Sequence, residues 1–372
     1  MTEVRTQRRL EFRDVAQGKA LGARLAHAVE RAGRVVTLMH VCGSHEQAMA
    51  RYGLRPSFPK DLHVQMGPGC PVCVTDAPEI DACIALAAKG LRVLTYGDML
   101  RVPGRAMSLD GARAAGARVD VVYGATQVVQ IARRTKEPVV FFATGFETTA
   151  VATAALLLDD PPDNLAVFSA HKWVPAAMEV VAETPDSRIE GFLAAGHAAT
   201  ITGFGIFESF VARHRLPVVV GGFEPLDILS ALVLLVEQVA AGEAKVENAF
   251  PRCVTREGNR RALAALERVF DMADGEWRGI ARIPSGNLRL RPEFARWDAT
   301  VRYAAELAAA PPFEERANAS DCVCGKIMSG IAQPDDCALF GKACLPAAPV
   351  GACMVSSEGA CRIWHEHGLG LR

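Results

Sequence analysis

The chain has 372 residues, half of them apolar, and a formal net charge of −1. This balance gives no electrostatic basis for binding nucleic acid or an anionic membrane. The length predicts roughly two to three domains. The charged N-terminus lacks the apolar stretch of a secretory signal, and the most apolar helical segment is too short to cross a bilayer. With eleven cysteines, these features predict a soluble cytoplasmic protein whose thiols are reduced, reactive or metal-bound.

Strands and helices alternate along the first third of the chain. An amphipathic helix is predicted over Val15–Ala32, with apolar residues recurring on one face. Four strands are predicted after it, at 35–41, 62–66, 91–96 and 119–123, with helices at 78–90 and 126–136. This order is typical of a mostly parallel sheet. It predicts a first α/β domain at residues 14–136.

The alternation then begins again. Strands are predicted at 138–143, 165–168, 191–194 and 216–220, and a helix at 226–241. We expect a second α/β domain of similar design at residues 137–242. Residues 243–312 have a weaker pattern and are predicted to be an extension and linker that ends at Pro311 and Pro312. Residues 313–372 differ in composition, which predicts a C-terminal cysteine-rich iron–sulfur domain.

The stretch 67–73 carries two thiols at a predicted strand-to-helix turn. Cys70 and Cys73 are spaced so that their sulfurs meet in a disulfide or on a metal. A helix N-terminus lowers the pKa of a nearby thiol. Gly67 and Gly69 allow the backbone to approach a ligand closely. In a reducing compartment this motif indicates a redox-active or metal-binding pair.

Chemically reactive residues also follow other predicted strands. The candidates are Cys42, His45, Glu147 and Glu224. Ligands of open α/β sheets bind outside the carboxyl ends of the strands, so we expect these residues to line a cleft between the two domains. Cys42 precedes a helix, which favours its thiolate, and His45 lies one helical turn on, where it can stabilise the thiolate or move a proton. For the two glutamates, capping of the following helix is an equally good explanation.

Six of the eleven cysteines lie in residues 313–372: Cys322, Cys324, Cys337, Cys344, Cys353 and Cys361. A segment of this size has little core of its own, so a metal centre is expected to hold it together. Four cysteines suit either a 4Fe–4S cluster or a structural zinc. Only the first two are close in sequence, and their spacing is too tight for the usual zinc pair. The wide spacing of the others favours the cluster, and zinc remains the alternative.

The chain resembles the hydrogenase maturation factor HypD family along nearly its whole length. The motifs that carry the resemblance are Cys42-Gly43-x-His45, Gly67-Pro68-Gly69-Cys70-Pro71-Val72-Cys73, Gly97-Asp98-Met99-Leu100-Arg101-Val102-Pro103-Gly104, Gly145-Phe146-Glu147-Thr148-Thr149, Gly222-Phe223-Glu224-Pro225-Leu226-Asp227, Cys337-x-Leu339-Phe340-Gly341-x-x-Cys344 and Met354-Val355-Ser356-Ser357-Glu358-Gly359-x-Cys361. Each motif alone is weak, but their order along the chain is highly specific.

The resemblance implies a scaffold that assembles the Fe(CN)2CO unit of NiFe hydrogenase. It implies a complex with HypC in which Cys42 holds the iron, cyanide delivery by HypE, and the hydrogenase large subunit as an indirect partner. It also implies a 4Fe–4S cluster. The cluster ligands carried over by position are Cys324, Cys337, Cys344 and Cys361. Cys322 and Cys353 are not among them.

The residues expected to carry out chemistry are Cys70, Cys73, His45, Glu147 and Glu224. Cys70 and Cys73 either supply two electrons by closing to a disulfide or hold and pass the iron. The protein is thus expected to be an assembly scaffold with redox activity rather than a conventional enzyme. The sequence departs from the family pattern at two places. Gln47 stands where a second histidine is usual, and Ala195-Gly196-His197-Ala198-Ala199 stands where the family tends to have Pro-Gly-His-Val-Ser.

Two other functions fit the same residues. A stand-alone iron–sulfur thiol–disulfide oxidoreductase requires Cys70, Cys73 and the cluster, but not Cys42. A small-molecule α/β enzyme with a structural zinc requires acid–base residues, and the sequence contains no phosphate-loop or dinucleotide fingerprint. In Cys42→Ala, a scaffold should lose its bound Fe(CN)2CO, whereas an oxidoreductase should keep its electron transfer. Zinc without iron in the purified protein would indicate the zinc enzyme instead of either.

Overall fold

The structure is a computed structural model that describes residues 12–185, 187–310 and 321–370. Over these ranges the strands, numbered β1 to β11, are Val36–His40, Leu62–Met66, Arg92–Tyr96, Val119–Val122, Val139–Gly145, Leu165–Lys172, Phe192–Ala195, Val218–Gly221, Val246–Asn248, Phe270–Trp277 and Ala281–Leu290. The α-helices of the same ranges, α1 to α17, are Val15–Ala32, Gly43–Arg51, Pro71–Val74, Ala77–Ala88, Leu109–Ala114, Ala125–Arg133, Glu147–Leu158, Val174–Glu183, Gly196–Thr202, Glu208–His214, Pro225–Ala241, Arg260–Val269, Ala299–Arg302, Ala304–Ala308, Cys324–Met328, Ala352–Val355 and Ala360–Glu366.

The strands form two sheets. The first has the order β2-β1-β7-β8-β9, and all its neighbouring strands are parallel. The second has the order β10-β11-β6-β5-β3-β4, in which β3 to β6 are parallel and the β10/β11 hairpin joins β6 in antiparallel fashion. The predicted α/β fold with mostly parallel sheets is thereby confirmed.

The two sheets do not correspond to the predicted units 14–136 and 137–242. β1 and β2 pair with β7 to β9, whereas β3 and β4 pair with β5 and β6. Hydrophobic patterning identifies strands but not their neighbours, and the prediction assumes that consecutive strands lie side by side. Because the chain crosses between the sheets after β2, after β6 and after β9, each sheet is built from two separated stretches.

The first helix illustrates how well local signals can set boundaries. Asp14 caps α1 by accepting a hydrogen bond from the Gln17 N–H, and Gly33 ends it with a φ of 66°. That left-handed conformation favours glycine, so the helix stops there. Its buried face, which includes Leu25 and Val29, packs against α11 below the first sheet. The predicted helix Val15–Ala32 is confirmed at both ends.

The described part of the cysteine-rich tail, residues 321–370, shares its core with the sheets. Its short helices α15 to α17 are joined by turns. Met328 and Met354 are buried in the same apolar cluster as Phe142 of the second sheet and Phe192 of the first. The predicted linker at Pro311 and Pro312 and the predicted boundary at 313 lie outside the described residues. No helix within the described ranges has both the length and the apolar character needed to span a membrane.

Candidate functional site

Cys42 lies in the turn between β1 and α2. Its backbone is extended and its side chain is buried. The Gly43 N–H donates to the carbonyl of Gly69 over 3.0 Å, so this turn packs directly on the 67–73 loop. A Cβ atom on Gly69 would lie 2.1 Å from the backbone nitrogen of Cys42, so only glycine permits the contact. The two cysteine-bearing loops therefore meet backbone to backbone, at the carboxyl ends of β1 and β2.

Burial keeps the Cys42 thiol protonated. Desolvation raises the pKa of Cys42 to about 12; the backbone N–H groups of His45 and Ser44 lower it, and the nearby carboxyl of Glu358 raises it further. The predicted preference for a thiolate at this position is therefore wrong. The helix start acts in the expected direction, but desolvation outweighs it. A metal ion that binds this sulfur has to displace its proton.

Cys70 and Cys73 are joined by a disulfide, with their Cα atoms 5.2 Å apart. Both residues are buried, and the Cys73 N–H also donates to the Cys70 sulfur over 3.2 Å. Helix α3 starts at this disulfide, and helix α16, which carries Cys353, packs against α3. The disulfide thus adjoins the Cys42 turn on one side and the cysteine-rich tail on the other.

His45 and His197 occupy places that differ from the expected ones. The Nε2–H of His45 donates to the carbonyl of Gly222 over 3.1 Å, and burial lowers the pKa of His45 to about 3, so its ring is neutral. This ring therefore faces the end of β8. The Nδ1 atom of His197 lies 4.0 Å from the Cys42 sulfur, and both rings contact Phe223. His197, rather than His45, is the histidine beside the thiol.

Glu147 begins α7 and is buried. Its Oε1 atom accepts a hydrogen bond from the Val174 N–H over 2.8 Å, whereas its Oε2 atom has no partner among the described residues. Burial raises the pKa of Glu147 to about 7. Glu147 also lines a cavity of about 20 Å³ whose wall includes Cys42 and His197. The structure thus brings this predicted site residue to the iron-binding candidate.

Glu224 has a different environment. It immediately precedes α11, where its backbone N–H donates to Asp227 over 3.2 Å. Its carboxylate forms a two-contact ion pair with Arg13, with a shortest distance of 2.6 Å, and the hydrogen bond from Arg13 lowers its pKa. These contacts agree with the alternative that Glu224 organises the start of a helix at the protein surface.

A buried polar network lies directly behind Cys42, and sequence reasoning did not identify it. The two ring nitrogens of His40 lie 3.0 Å from the Cys42 carbonyl oxygen and 2.8 Å from the Glu46 carboxylate. The His40 ring therefore links the backbone of Cys42 to the carboxylate of Glu46. Glu46 also accepts from Arg55 and from the Trp364 indole N–H of α17. A tryptophan 318 positions away gives no sequence signal for such a contact.

The tail also contacts the Cys42 turn from the solvent side. The Ser44 hydroxyl donates to Glu358 over 3.2 Å, and the hydroxyls of Ser356 and Ser357 donate to Asp98 over 3.2 and 3.3 Å. These three tail residues therefore connect α2 with the loop that follows β3. The segment has a direct structural use, because these contacts hold the tail against elements of both sheets.

Arg101 binds the tail as well. Its guanidinium donates to the carbonyl of Pro346 over 2.9 Å, so Asp98 and Arg101 each contact the tail separately.

Five cysteines of the tail form one cluster, which we call the tail thiol group: Cys322, Cys324, Cys344, Cys353 and Cys361. The sulfurs of Cys322 and Cys324 are 3.1 Å apart. The Cys353 thiol lies beside those of Cys324 and Cys361. Hydrogen bonds from Cys324 and Cys353 lower the pKa of Cys361 to about 6. The group therefore stabilises a thiolate, which is the form that binds metals.

The tail thiol group overlaps the expected ligand set without matching it. Three of the four expected ligands belong to the group, namely Cys324, Cys344 and Cys361. Cys337, the fourth expected ligand, is half-buried and is not one of the five thiols of this group. Cys353, which the resemblance leaves out, lies between two of the expected ligands.

Comparison with known proteins agrees with these motifs. The HypD family model, described as "Hydrogenase formation hypA family", matches residues 17–368. The hydrogenase expression/formation protein HupD of Azotobacter chroococcum and the hydrogenase maturation factor HypD of Azotobacter vinelandii are each 42% identical over 96% of both chains. A putative hydrogenase expression/formation protein of Methanocaldococcus jannaschii is 40% identical over 89% of this chain and 91% of its own length. The chain therefore belongs to the HypD family of hydrogenase maturation factors.

Proposed function

We propose that this protein is the scaffold on which the Fe(CN)2CO unit of NiFe hydrogenase is assembled. In this proposal Cys42 and a cysteine of HypC hold the iron while cyanide and CO are attached. HypE supplies the cyanide, and the hydrogenase large subunit receives the finished unit indirectly. The iron is therefore cargo, which the protein binds and later releases.

One observation carries the proposal: three kinds of sulfur site adjoin one another. The Cys42 turn packs on the 67–73 loop, and α16 of the tail packs on the helix that contains Cys73. A site that only binds a metal has no need for a disulfide positioned between Cys42 and the tail thiol group. A scaffold that holds iron on Cys42 and also supplies electrons to it does need a redox-active pair at that place.

The chemistry of Cys42 suits a cargo that is loaded and unloaded. Low-spin Fe(II) with cyanide and CO ligands prefers soft, strongly donating ligands such as thiolate. In the absence of iron the thiol remains protonated, because burial raises the pKa of Cys42 to about 12. On loading, the proton leaves the Cys42 sulfur, and the Nδ1 atom of His197, 4.0 Å away in the same cavity, is placed to accept it. The same proton can return when the iron departs.

Cys70 and Cys73 are proposed to supply electrons. As a dithiol they release two electrons and two protons when they close to the disulfide. The donor set of the tail thiol group fits a 4Fe–4S cluster, since such a cluster takes four thiolates and five thiols converge there. We propose Cys324, Cys344 and Cys361 as ligands, with Cys337 as the fourth by resemblance and Cys353 as the geometric alternative. When bound, the cluster would supply one-electron transfer.

The second candidate function is a stand-alone iron–sulfur thiol–disulfide oxidoreductase. The buried disulfide next to the tail thiol group favours it. This function leaves unexplained why the Cys42 thiol and His197 share a cavity with the 67–73 loop.

The test is infrared spectroscopy of the anaerobically purified complex with HypC, for the wild type and for Cys42→Ala. The scaffold predicts cyanide and CO stretching bands in the wild type that are lost in the variant. Cys253→Ala, at an exposed cysteine, is the matched control and should retain the bands. A wild type without bands, with iron–sulfur absorption and a Cys70/Cys73 pair that titrates reversibly, would replace the scaffold with the oxidoreductase. Zinc without iron would exclude both.

A further inference from the structure

The cavity beside Cys42 is small and largely apolar. Its volume is about 20 Å³, and aromatic and aliphatic side chains such as Phe146 and Phe207 form much of its wall. A space of this size accommodates one water molecule or one diatomic group. It is too small for an iron ion with all its ligands. Iron held on the Cys42 sulfur can therefore insert only one diatomic ligand into the cavity.

Glu147, which lines this cavity, carries a buried polar atom without a partner among the described residues. The residue is 1% exposed, and its Oε1 atom already accepts the hydrogen bond from Val174. The Oε2 atom has no partner among the described residues, although buried polar atoms are almost always hydrogen-bonded. The link between α7 and α8 needs only one carboxyl oxygen. The second oxygen is therefore available for a ligand.

We propose that Glu147 donates a hydrogen bond from Oε2 to the outer nitrogen of one cyanide ligand on the iron bound to Cys42. This inference rests on the proposed function and adds a recognition contact to it. Cyanide nitrogen is a much better acceptor than the oxygen of iron-bound CO, so the contact selects cyanide for this position. Glu147 is in this sense a specificity-determining residue.

The protonation of Glu147 agrees with this role. A carboxyl group has to carry a proton to donate to cyanide, and burial raises the pKa of Glu147 to about 7. Two other polar side chains line the cavity: His197, which lies next to the thiol, and Thr202, whose hydroxyl donates to backbone carbonyls. Among these three side chains, Glu147 has the polar atom without a partner in the described structure.

Two substitutions separate the hydrogen bond from a purely structural role. In Glu147→Gln, the amide oxygen still accepts from Val174 and the amide N–H can still donate to cyanide. In Glu147→Met, the side-chain length is kept but both polar contacts are lost. Infrared spectra of the HypC complex are recorded for the wild type and both variants. We expect Met to shift one cyanide band to a new position and leave the CO band nearly unchanged, and Gln to keep the wild-type positions.

The outcomes are distinct. Cyanide bands at wild-type positions in Glu147→Met would overturn the inference and leave the scaffold intact. Equal shifts in both variants would also overturn it, because they would indicate a structural role. A wild type without bands would overturn the scaffold and this inference together. If Glu147→Met does not fold, transfer of the wild type to D2O tests the contact: one cyanide band should shift, and cyanide bands unaffected by D2O would overturn it.

Discussion

Two turns of the molecule carry the same sequence, Gly-Phe-Glu, at the end of a parallel strand, yet their glutamates have opposite environments. Glu147 follows β5 and is 1% exposed, and burial raises its pKa to about 7. Glu224 follows β8, its side chain is 33% exposed, and Arg13 lowers its pKa. The local sequence is alike, but Glu147 is the first residue of α7 whereas Glu224 is the extended residue before α11. The difference in burial also reflects what packs over each turn, namely the start of α8 in one case and Arg13 with solvent in the other.

Glu46 is a third case that completes the comparison. It is fully buried like Glu147 but ionised like Glu224. Burial alone raises its pKa, but the charge of Arg55 and the hydrogen bonds from His40 and Arg55 hold the pKa well below its usual range. In a buried site the neighbouring groups shift the pKa of a carboxyl group strongly. Whether the carboxyl group is charged then depends on which partners it has.

The largest expected loss of stability comes from breaking the buried polar network around Glu46. Glu46→Gln removes the negative charge and leaves Arg55 without its counter-ion. We expect a loss of roughly 3–5 kcal/mol in the free energy of unfolding, because a buried charge then has no partner. Trp364→Phe is the control: it keeps the charge of Glu46 but removes the indole hydrogen bond and part of the buried ring beneath Arg55, and should cost less, about 1–2 kcal/mol. Urea denaturation measures both, and equal losses would contradict a network held by charge.

A smaller effect, with a defined pH dependence, is expected for Glu147. Its pKa is about 7 in the folded protein, against an ordinary value of 4.5. Because the unfolded chain loses this proton more readily, the stability of the wild type should fall as the pH rises from 4.5 to about 7 and then level off. Glu147→Gln cannot ionise and should escape this loss. At about pH 8 the variant should be more stable than the wild type by up to roughly 3 kcal/mol.

The difference between the two proteins isolates this group from all other titrations. Urea midpoints of wild type and Glu147→Gln should converge at acid pH and separate at alkaline pH. A separation that does not change with pH would show that Glu147 does not titrate in this range.

The smallest effect is expected at Glu224. Its ion pair with Arg13 stabilises the folded protein at pH values above the ordinary pKa of the carboxyl group. This stabilisation is lost as the pH falls through the lowered pKa of Glu224, so its pH dependence has the opposite sign from that of Glu147. Because both side chains are solvent-exposed to a large degree, the contribution should be near the error of the measurement and should disappear in high salt. A double-mutant cycle of Arg13→Ala and Glu224→Gln measures the coupling. A coupling that persists in high salt would contradict the conclusion that Glu224 is held by an exposed, solvent-screened ion pair.

Local elements of this fold follow from the sequence. Apolar periodicity predicted α1 to the residue, and the strand Leu62–Met66 has the predicted bounds. These features depend on interactions within a few residues. The cysteine motifs of the site were also recognisable, because their residue types and spacing limit the possible chemistry.

The tertiary structure alone decided which strands share a sheet, which histidine lies beside Cys42 and which glutamate is buried. Each of these depends on residues far apart in the chain: β1 pairs with β7, and His197 is 155 positions from Cys42. The protonation of Cys42 belongs to the same class, since the helix start favours a thiolate but burial overrides it. Local sequence specifies what a segment prefers, whereas desolvation and contact partners are set only when distant segments pack together.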